Sequence, residues 1–322
     1  MRTCLITGAG GFCGGHLARR LRDEGALRVI GTGRRAEPSG KAGLDDYVQA
    51  DLCDAGQTAR VVRESKPDLV FHLAGTTQGT VHDLYRVNLL GSVNLLEAVK
   101  QHAPGARVLL VGTAAEYGNV EPSSLPVREH HPCHPIDAYG SSKHAMTLAS
   151  LDYARACGLK VVLARPFNVL GAGVPASLLV GAVLSRARQA LQTDGDPVVR
   201  VGNIGTERDF IAVEDVADAY WRMMQGEYWG EVFNICSGRP TSVRSVITLL
   251  LSHANRRIRF ESDPDLMRGS EIQTVYGSWE KAGRSFGFKP TISLERAIES
   301  AWTFAMEGYV QPRQRSDSRA AY

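Results

Sequence analysis

The stretch Thr7-Gly8-Ala9-Gly10-Gly11-Phe12-Cys13-Gly14 lies between an apolar run and an amphipathic run, so it joins a strand to a helix. Gly8 permits a tight turn, Gly11 lets the backbone approach a phosphate, and Gly14 lets the helix pack closely on the strand. The free N–H groups and the positive end of the helix then face the anion. The loop therefore predicts a pyrophosphate site, with a flexible turn as the alternative.

The first half of the chain alternates short β-branched runs with amphipathic stretches, which is typical of βαβ units in a parallel sheet. Its strand-like runs are almost continuously apolar, as expected of a sheet covered on both faces. The pattern predicts strands at residues 3–7, 28–32, 47–50, 69–73, 107–112 and 160–165. It predicts helices at residues 12–24, 55–64, 84–102 and 138–157.

These elements predict an α/β fold, a Rossmann-type doubly wound parallel sheet over residues 1–165. After Arg165-Pro166 single helices and short strands are separated by Gly and Pro. That change predicts a smaller C-terminal α/β lobe for the substrate over residues 166–310, interleaved with late elements of the sheet. Residues 311–322 are polar and are expected to form a solvated tail.

Composition limits the partners of the protein. The 37 basic and 34 acidic residues are spread along the chain and give a net charge of +3, which is no footprint for nucleic acid or a membrane surface. The six cysteines are scattered, which favours a reducing compartment over a disulfide framework. With no apolar leader and no apolar run near the roughly 18 residues that span a bilayer, we expect a soluble, cytoplasmic protein with a small-molecule partner.

The end of the second predicted strand indicates which dinucleotide is bound. It reads Gly31-Thr32-Gly33-Arg34-Arg35, with no acid to hold the ribose hydroxyls of NAD. Guanidinium groups pair with phosphate oxygens, so Arg34 and Arg35 favour the 2′-phosphate of NADP(H). The alternative is a pair of solvated loop arginines. Asp51-Leu52, after the third strand, is expected at the adenine edge.

Tyr139 and Lys143 lie four residues apart in Tyr139-Gly140-Ser141-Ser142-Lys143, so on a helix they share one face. A free phenol, with a pKa near ~10, is a poor proton donor and acceptor at neutral pH. Positive charge on lysine and on an oxidised nicotinamide stabilises the phenolate and makes Tyr139 a usable acid and base. Thr113, after a predicted strand, is expected at the same edge of the sheet.

Several segments together resemble an extended short-chain dehydrogenase/reductase from end to end. They are the glycine loop, His72-Leu73-Ala74-Gly75, Asn88, Thr113, Tyr139 with Lys143, Arg165-Pro166-Phe167-Asn168 and Arg208-Asp209-Phe210. The C-terminal lobe is most similar to the GDP-4-keto-6-deoxy-D-mannose reductases. The matching segments are Val201-Gly202-Asn203-Ile204, Phe233-Asn234-Ile235-Cys236-Ser237-Gly238, Asp263-Pro264-Asp265-Leu266-Met267-Arg268 with Glu271, and Gly287-Phe288-Lys289-Pro290.

The resemblance implies a role for each matching position. Tyr139 would protonate the oxygen at the reacting sugar carbon, Thr113 would hydrogen-bond that oxygen, and Lys143 would hold the nicotinamide ribose. The implied contacts of NADP(H) are Gly8, Gly11, Phe12, Cys13, Gly14, Arg34, Arg35, Asp51, Leu52, Leu73, Ala74, Gly75, Asn88, Tyr139, Lys143 and Pro166. The implied substrate contacts are Thr76, Ala114, Ala115, Glu116, Asn168, Val201, Arg208, Arg268 and Glu271.

Among the substrate contacts, Arg208 and Arg268 would clamp the diphosphate, whose charge suits two guanidinium groups. Glu271 would take the ribose hydroxyls of the nucleotide, and Asn168 would meet the sugar or its phosphate. The substrate implied is a nucleotide diphosphate sugar, with GDP preferred.

The activity implied by the resemblance is NADPH-dependent reduction of the 4-keto group of a nucleotide-linked 4-keto-6-deoxyhexose. A nucleotide-sugar 4-epimerase would use the same residues and stays open, as does a non-catalytic NADP-binding protein. A 4,6-dehydratase is disfavoured because Ala115 stands where those relatives carry a basic glutamate. Glu116 is shifted by one residue, so on an extended segment its side chain points to the other face.

Two further features complete the predictions. His130, His131, Cys133 and His134 lie in a proline-broken loop without the spacing of a zinc site, so we expect no metal. The predicted helices at 84–102 and 138–157 carry more apolar surface than one sheet face needs. The resemblance implies that they pair across a two-fold axis as the four-helix bundle of a homodimer, with a monomer as the alternative.

Overall fold

The computed structural model describes residues 1–36, 43–193, 195–267 and 272–307, so the predicted tail at 311–322 lies outside the described residues. Each strand and helix predicted in the first half is present, with small shifts at the ends. The elements are β1 Arg2–Thr7, α1 Phe12–Arg22, β2 Leu27–Gly33, β3 Asp46–Gln49, α2 Ala55–Ser65, β4 Leu69–His72, α3 Val81–Tyr85, α4 Gly91–His102, β5 Arg107–Val111, α5 Ala138–Cys157 and β6 Lys160–Pro166.

The second half of the chain contains shorter elements. They are β7 Asn168–Leu170, α6 Leu179–Ala190, β8 Val198–Val201, β9 Glu207–Ala212, α7 Val213–Met223, β10 Val232–Ile235, β11 Pro240–Ser242, α8 Val243–Ser252, β12 Arg259–Ser262, β13 Thr274–Val275, α9 Glu280–Phe286 and α10 Leu294–Met306. Helices α6, α8 and α10 enclose a separate apolar core together with β8.

Seven strands form one parallel sheet in the order β3-β2-β1-β4-β5-β6-β10. The predicted doubly wound sheet is therefore confirmed. The chain runs outward from β1 in both directions, so a crevice opens between the carboxyl ends of β1 and β4. Strand β10 completes the sheet although it lies well beyond residue 166, which makes the second half interleaved with the first.

Alternate residues of the central strands enter two different apolar layers. Leu5, Val70 and Val108 pack in the layer that contains helix α4, whereas Ile6 and Phe71 pack in the layer of α1 and α7. Since both faces of each strand are covered, both sets of side chains must be apolar. This double burial explains the continuous apolar runs of the sequence.

The helix predicted at 84–102 is longer and less regular than the pattern indicates. It begins at Val81, where Thr80 and Asp83 form a reciprocal capping box, and a π-helical turn at Arg86–Leu90 separates α3 from α4. Such turns are rare and often mark functional sites. Here the turn contains Asn88, whose side chain is fully buried.

Among the residues that the structure describes, every helix is too short or too polar to cross a lipid bilayer.

The packing of α1 on β1 generates a prediction about Gly14. A Cβ at this position would overlap the carbonyl oxygen of Gly8 and lie 2.8 Å from Cα of Ala9, both of which are backbone atoms. We expect Gly14→Ala to lower the free energy of unfolding by about 1–3 kcal/mol through overpacking. Thermal and denaturant unfolding measure the change.

Gly15→Ala is the matched control, because a Cβ at Gly15 meets no atom within 4 Å. In a helix this exchange stabilises by up to about 1 kcal/mol. Equal stability changes in the two variants would contradict the proposed contact.

Candidate active site

The glycine loop forms a tight cradle at the end of β1. Gly8 has a φ of +70°, and a Cβ there would lie 2.8 Å from the amide nitrogen of Ala74. The amide of Gly8 donates to the carbonyl of Thr32 at 2.9 Å. Helix α1 begins after Gly11 without a side-chain cap, so its first amides point into the crevice. This arrangement fits the diphosphate of a dinucleotide, because a backbone with no Cβ in the way can approach it closely.

The predicted adenosine end of the site lies beyond β2. Arg34 and Arg35 are both exposed there, and their carbonyl groups accept hydrogen bonds from Gln49 and Tyr47 at 2.8 and 3.1 Å. These contacts hold the backbone that carries the two guanidinium groups. Leu52, after β3, is buried.

Asp51 is half-buried at the same end of the site. Its carboxylate accepts the amide proton of Cys53 at 3.0 Å, and its own amide donates to Gln57 at 3.0 Å. Local hydrogen bonds therefore hold the turn that follows β3.

A buried polar chain links the cradle to the neighbouring strand. The Thr7 hydroxyl accepts the amide proton of Ala74 at 3.2 Å and contacts Nδ1 of His72 at 2.7 Å. Nε2 of His72 lies 2.8 Å from the Ser92 hydroxyl, which donates to the carbonyl of Asn88 at 2.7 Å. Since Ser92 donates its own proton, the imidazole carries its proton on Nε2 and accepts from Thr7 on Nδ1. The imidazole is therefore neutral.

Burial explains this neutral state. Loss of hydration, assisted by the charge of Lys143, lowers the pKa of His72 from 6.5 to about 3. Sequence reasoning quoted His72 only as part of a motif and missed its function as a bridge. A histidine at the carboxyl end of a buried strand was the only available signal.

Asn88 continues the chain to the catalytic helix. Its amide nitrogen donates to the Ser142 hydroxyl at 2.9 Å and to the carbonyl of Thr76 at 3.0 Å, while its oxygen accepts the amide proton of Thr76 at 2.8 Å. Ser142 donates in turn to the carbonyl of Tyr139 at 2.8 Å. Asn88, predicted to contact the cofactor, thus also fixes the start of α5 against the Thr76 segment. Ser142 was not predicted.

Helix α5 presents the predicted acid/base pair. Asp137 caps its first turn by accepting the amide proton of Gly140 at 2.7 Å, which places Tyr139 and Lys143 one turn apart. Lys143 is 5% exposed, and burial lowers its pKa to about 8, against the opposing effect of Glu116. The structure therefore brings the two side chains to the predicted edge of the sheet.

The pKa of Tyr139 departs from the sequence-based expectation. Burial raises it to about 12, and the hydrogen bond with the Thr113 hydroxyl only partly offsets that rise. The protein's own residues therefore favour the neutral phenol. The reason is desolvation, which disfavours the charged phenolate. The site therefore holds a protonated phenol next to Thr113. Stabilisation of the phenolate by Lys143 together with an oxidised nicotinamide stays a prediction.

Glu116 does not border the substrate, contrary to the prediction. It is fully buried, with one carboxylate oxygen accepting the amide proton of Thr113 at 3.0 Å. The other oxygen pairs with Nε and Nη2 of Arg165 at 3.0 and 2.9 Å. The segment is a 3₁₀ turn rather than the extended strand on which the predicted change of face was based, and the ion pair with Arg165 decides where Glu116 points. Ala114 and Ala115 are half-buried.

The predicted substrate contacts beyond β6 divide into several groups. Asn168 is exposed and donates to the carbonyl of Asp209 at 2.9 Å, and Arg208 is half-buried on β9. Val201 is 1% exposed and belongs to the core of the C-terminal lobe, so its predicted side-chain contact with substrate is wrong. Arg268 and Glu271 lie outside the described residues.

Asp209 anchors the strand that carries Arg208. It is fully buried and accepts four hydrogen bonds, from the amide and hydroxyl of Ser237 at 2.7 Å each, from the Gly238 amide at 2.9 Å and from the Gly277 amide at 3.2 Å. Since neighbouring side chains of a strand point to opposite faces, Asp209 holds β9 while Arg208 faces the other way. Sequence reasoning quoted Asp209 without assigning it this anchoring function.

Comparison with known proteins agrees with this geometry. A match to the NAD dependent epimerase/dehydratase family spans residues 4–236. The chain belongs to this family. It is 35% identical over 249 residues to the GDP-6-deoxy-D-mannose reductase of Pseudomonas aeruginosa, which covers 73% of this chain and 80% of that protein. The resemblance inferred from the motifs is thereby confirmed.

Solved structures of family members have the same fold. The structure of RMD from Pseudomonas aeruginosa complexed with NADPH is 28% identical, with a TM-score of 0.82, covering 96% of this chain and 100% of that chain. The UDP-glucose 4-epimerase of Thermus thermophilus, in complex with NAD, is 26% identical, with a TM-score of 0.83 and the same coverage. The family thus includes both reductases and epimerases on this scaffold.

The neutral His72 generates a prediction about acid stability. Because its pKa falls from 6.5 to about 3 on folding, the unfolded chain binds a proton below pH 6.5 that the folded chain does not. Stability is therefore lost as the pH falls below 6.5, by about 2 kcal/mol at pH 5. His72→Gln keeps a donor and an acceptor but does not titrate, so its stability should fall less between pH 7 and pH 5.

Denaturant unfolding at the two pH values measures this difference. His82→Gln is the control, because His82 lies at the exposed start of α3 and should leave the pH slope as it is in the parent. The same pH slope in His72→Gln and in the parent chain would refute the neutral bridge.

Proposed function

We propose that the chain reduces the 4-keto group of a nucleotide-linked 4-keto-6-deoxyhexose, with NADPH as the reductant and GDP as the nucleotide. The observation that carries the proposal is the placement of Tyr139 one helical turn from Lys143 on α5, with the phenol protonated and Thr113 close enough to lower its pKa. These groups lie at the same edge of the sheet as the glycine cradle. The 35% identity to a GDP-6-deoxy-D-mannose reductase supports the substrate class.

The proton chemistry follows from the chain's own residues. Tyr139 keeps its proton at neutral pH because its pKa is about 12, so it is an acid that can donate to the sugar oxygen. Thr113 hydrogen-bonds the same oxygen and orients the carbonyl. When bound, the nicotinamide supplies the hydride. Lys143, which is cationic below its pKa of about 8, holds the ribose hydroxyls and stabilises the phenolate left after proton transfer.

The preference for NADPH rests on the end of β2. Arg34 and Arg35 provide two guanidinium groups there, where NAD-specific enzymes carry an acid. The glycine cradle fits the diphosphate, with Phe12, Cys13, Leu73, Ala74 and Gly75 along its sides and Pro166 buried at the end of β6. The NADPH complex of the related RMD structure supports the same choice.

The diphosphate of the substrate would lie along β9. Arg208 supplies a guanidinium group on the face opposite the Asp209 anchor, and Asn168 offers an amide beside it. Arg268 would complete the clamp and Glu271 would bind the ribose, as the resemblance implies. This pairing of cations with a diphosphate follows the usual geometry of guanidinium forks.

Epimerization is the second candidate function, because the UDP-glucose 4-epimerase structure has the same fold at 26% identity. An epimerase would retain its cofactor and turn over without net oxidation of NADPH. Elimination, the dehydratase reaction, is disfavoured since Ala115 has no basic group and Glu116 is buried against Arg165. Turnover of any nucleotide sugar would exclude the alternative of a non-catalytic NADP-binding protein.

The proposal includes a homodimer in the cytoplasm. Leu90 and Leu148, on the π turn and on α5, are 53% and 51% exposed, which leaves apolar side chains on adjacent helices for a second copy to cover. A monomeric mass in sedimentation at assay concentration would contradict the dimer. The six free thiols suit the reducing conditions of the cytoplasm.

Removing the phenol tests the proposed chemistry. Tyr139→Phe should lower kcat by roughly 10²- to 10⁴-fold, because the general acid is lost while the binding surface is kept. NADPH oxidation is measured with the GDP-4-keto-6-deoxyhexose produced in situ. Tyr228→Phe is the control, since the Tyr228 hydroxyl donates to the carbonyl of Ser285 away from the site. Full turnover by Tyr139→Phe would refute the proposal.

Removing one guanidinium group tests the cofactor. Arg34→Ala should raise the KM for NADPH by roughly 10-fold or more, as expected for a lost charge-assisted contact, and should leave the KM for NADH unchanged. The control is Arg63→Ala, in which an exposed arginine at the end of α2 is removed. An equal effect on both cofactors would argue against recognition of the 2′-phosphate.

A further inference from the structure

Glu116 combines complete burial with a position directly beneath the reacting groups. Its carboxylate is 0% exposed and satisfied on both sides, by the Thr113 amide at 3.0 Å and by Arg165 at 2.9 and 3.0 Å. An unpaired carboxylate could not be buried at acceptable cost, so the partner cation is a condition for its presence. The ion pair joins the 3₁₀ turn after β5 to strand β6.

Arg165 is itself held rigidly. Its guanidinium carbon lies 4.9 Å from the ring centroid of Tyr117, and Nη1 donates to the Tyr117 hydroxyl at 3.3 Å. That hydroxyl donates to the side-chain oxygen of Asn234 on β10 at 2.7 Å. The Asn234 amide nitrogen in turn donates to the carbonyl of Val127 at 3.0 Å. The cation therefore cannot turn away from Glu116 without breaking a chain of buried contacts.

The direction of the Thr113 hydroxyl follows from this anchor. Its oxygen accepts the amide proton of Ala115 at 3.3 Å, while the Thr113 amide is held by Glu116 in a reciprocal capping box. The oxygen already accepts one hydrogen bond from within the turn, which leaves the hydroxyl proton free to be donated to the neighbouring Tyr139 phenol, whose pKa Thr113 lowers. The carboxylate thus determines the orientation of the Thr113 side chain.

Glu116 also acts through its charge. The negative carboxylate raises the pKa of Tyr139 and opposes the lowering of the pKa of Lys143 by burial. Both effects keep protons on the two catalytic side chains. The other groups that face Tyr139 are Asp137, Cys13 and the Tyr220 phenol. The groups that face Glu116 are Arg165, Cys133 and His144, whose Nδ1 lies 3.6 Å from the carboxylate.

We propose that Glu116, fixed by Arg165, is a positioning residue that holds the Thr113 side chain beside the Tyr139 phenol. The proposal rests on the proposed reductase function for its kinetic consequence. It concerns a residue that contacts no substrate and acts only through Thr113 and Tyr139.

The first experiment removes the negative charge of Glu116 and keeps a side-chain oxygen that can accept the hydrogen bond from the Thr113 amide. In Glu116→Gln the side-chain oxygen can still accept from Thr113, but the negative charge is lost, so the pKa of Tyr139 should fall. The rate of keto reduction requires the protonated phenol, so its loss on the alkaline side should begin at lower pH than in the parent. The neutral amide no longer forms the ion pair with Arg165 and holds the Thr113 turn less firmly, so we also expect kcat to fall about 10-fold at neutral pH, with KM nearly unchanged.

A second measurement is independent of turnover. Titration of isotope-labelled tyrosine by NMR, with Tyr139→Phe used to assign the signal, reports the phenol directly in the free protein. The Tyr139 signal should titrate at lower pH in Glu116→Gln. If the parent titrates as expected but reduces no keto sugar, the proposed function fails while the positioning inference stands.

Two further variants separate positioning from loss of stability. In Glu116→Gln/Arg165→Met both charges are absent, so no unpaired buried charge remains. This protein should therefore unfold near the parent temperature. Its kcat should stay low, because the ion pair that holds the Thr113 turn is missing. Asp215→Asn is the matched control, because this buried acid holds the amides of Thr291 and Ile292 far from the site. It should lose stability without moving the Tyr139 titration.

Each of the following outcomes either supports or overturns the proposed positioning function of Glu116. A lower titration of Tyr139 and a lower kcat in Glu116→Gln, with neither in Asp215→Asn, would support the proposal. An unchanged titration with unchanged kcat in a folded Glu116→Gln protein would overturn it. Full recovery of kcat in the double variant would also overturn it, since activity would then depend only on the absence of an unpaired charge.

Discussion

The close approach of three backbone segments at Gly8 is the constraint on which the rest of the site depends. The end of β1, the first turn of α1 and the Leu73-Ala74 segment meet there at distances that exclude a Cβ at Gly8 or Gly14. This contact points the amides at the start of α1 into the crevice between β1 and β4. It also brings Thr7 within reach of Ala74 and His72, from which the buried polar chain begins.

The buried polar chain fixes the position of helix α5 relative to the glycine cradle. Burying His72, Ser92 and Asn88 is possible only because each donor meets an acceptor, and the partners leave one arrangement of protons. The chain ends at Ser142 and the carbonyl of Tyr139, so buried hydrogen bonds connect helix α5 to the phosphate cradle. The π turn at Arg86–Leu90 brings the Asn88 amide into this chain.

Electrostatics in the site favour a proton donor over a phenolate. Burial raises the pKa of Tyr139, which moves it away from neutral pH. Burial lowers the pKa of Lys143, which moves it toward neutral pH. Glu116, paired with Arg165, carries a negative charge that raises the pKa of Tyr139 and opposes the lowering of the pKa of Lys143. The protonated phenol is the form that the proposed reduction requires at the start of each turnover.

The sequence by itself determined the parallel sheet, the cradle glycines and the shared face of Tyr139 and Lys143. These features depend on local properties: apolar runs of strand length, residues without a Cβ, and a spacing of about one helical turn. Tertiary structure alone decided that Glu116 turns inward, that Val201 enters a core, and that Asp209 anchors β9. The partners that decide these positions lie far along the chain, 49 residues away for Arg165 and Glu116 and 68 for Gly277 and Asp209. Which of two faces a polar residue occupies depends on whether a distant partner can compensate for its lost hydration, and no local pattern contains that information.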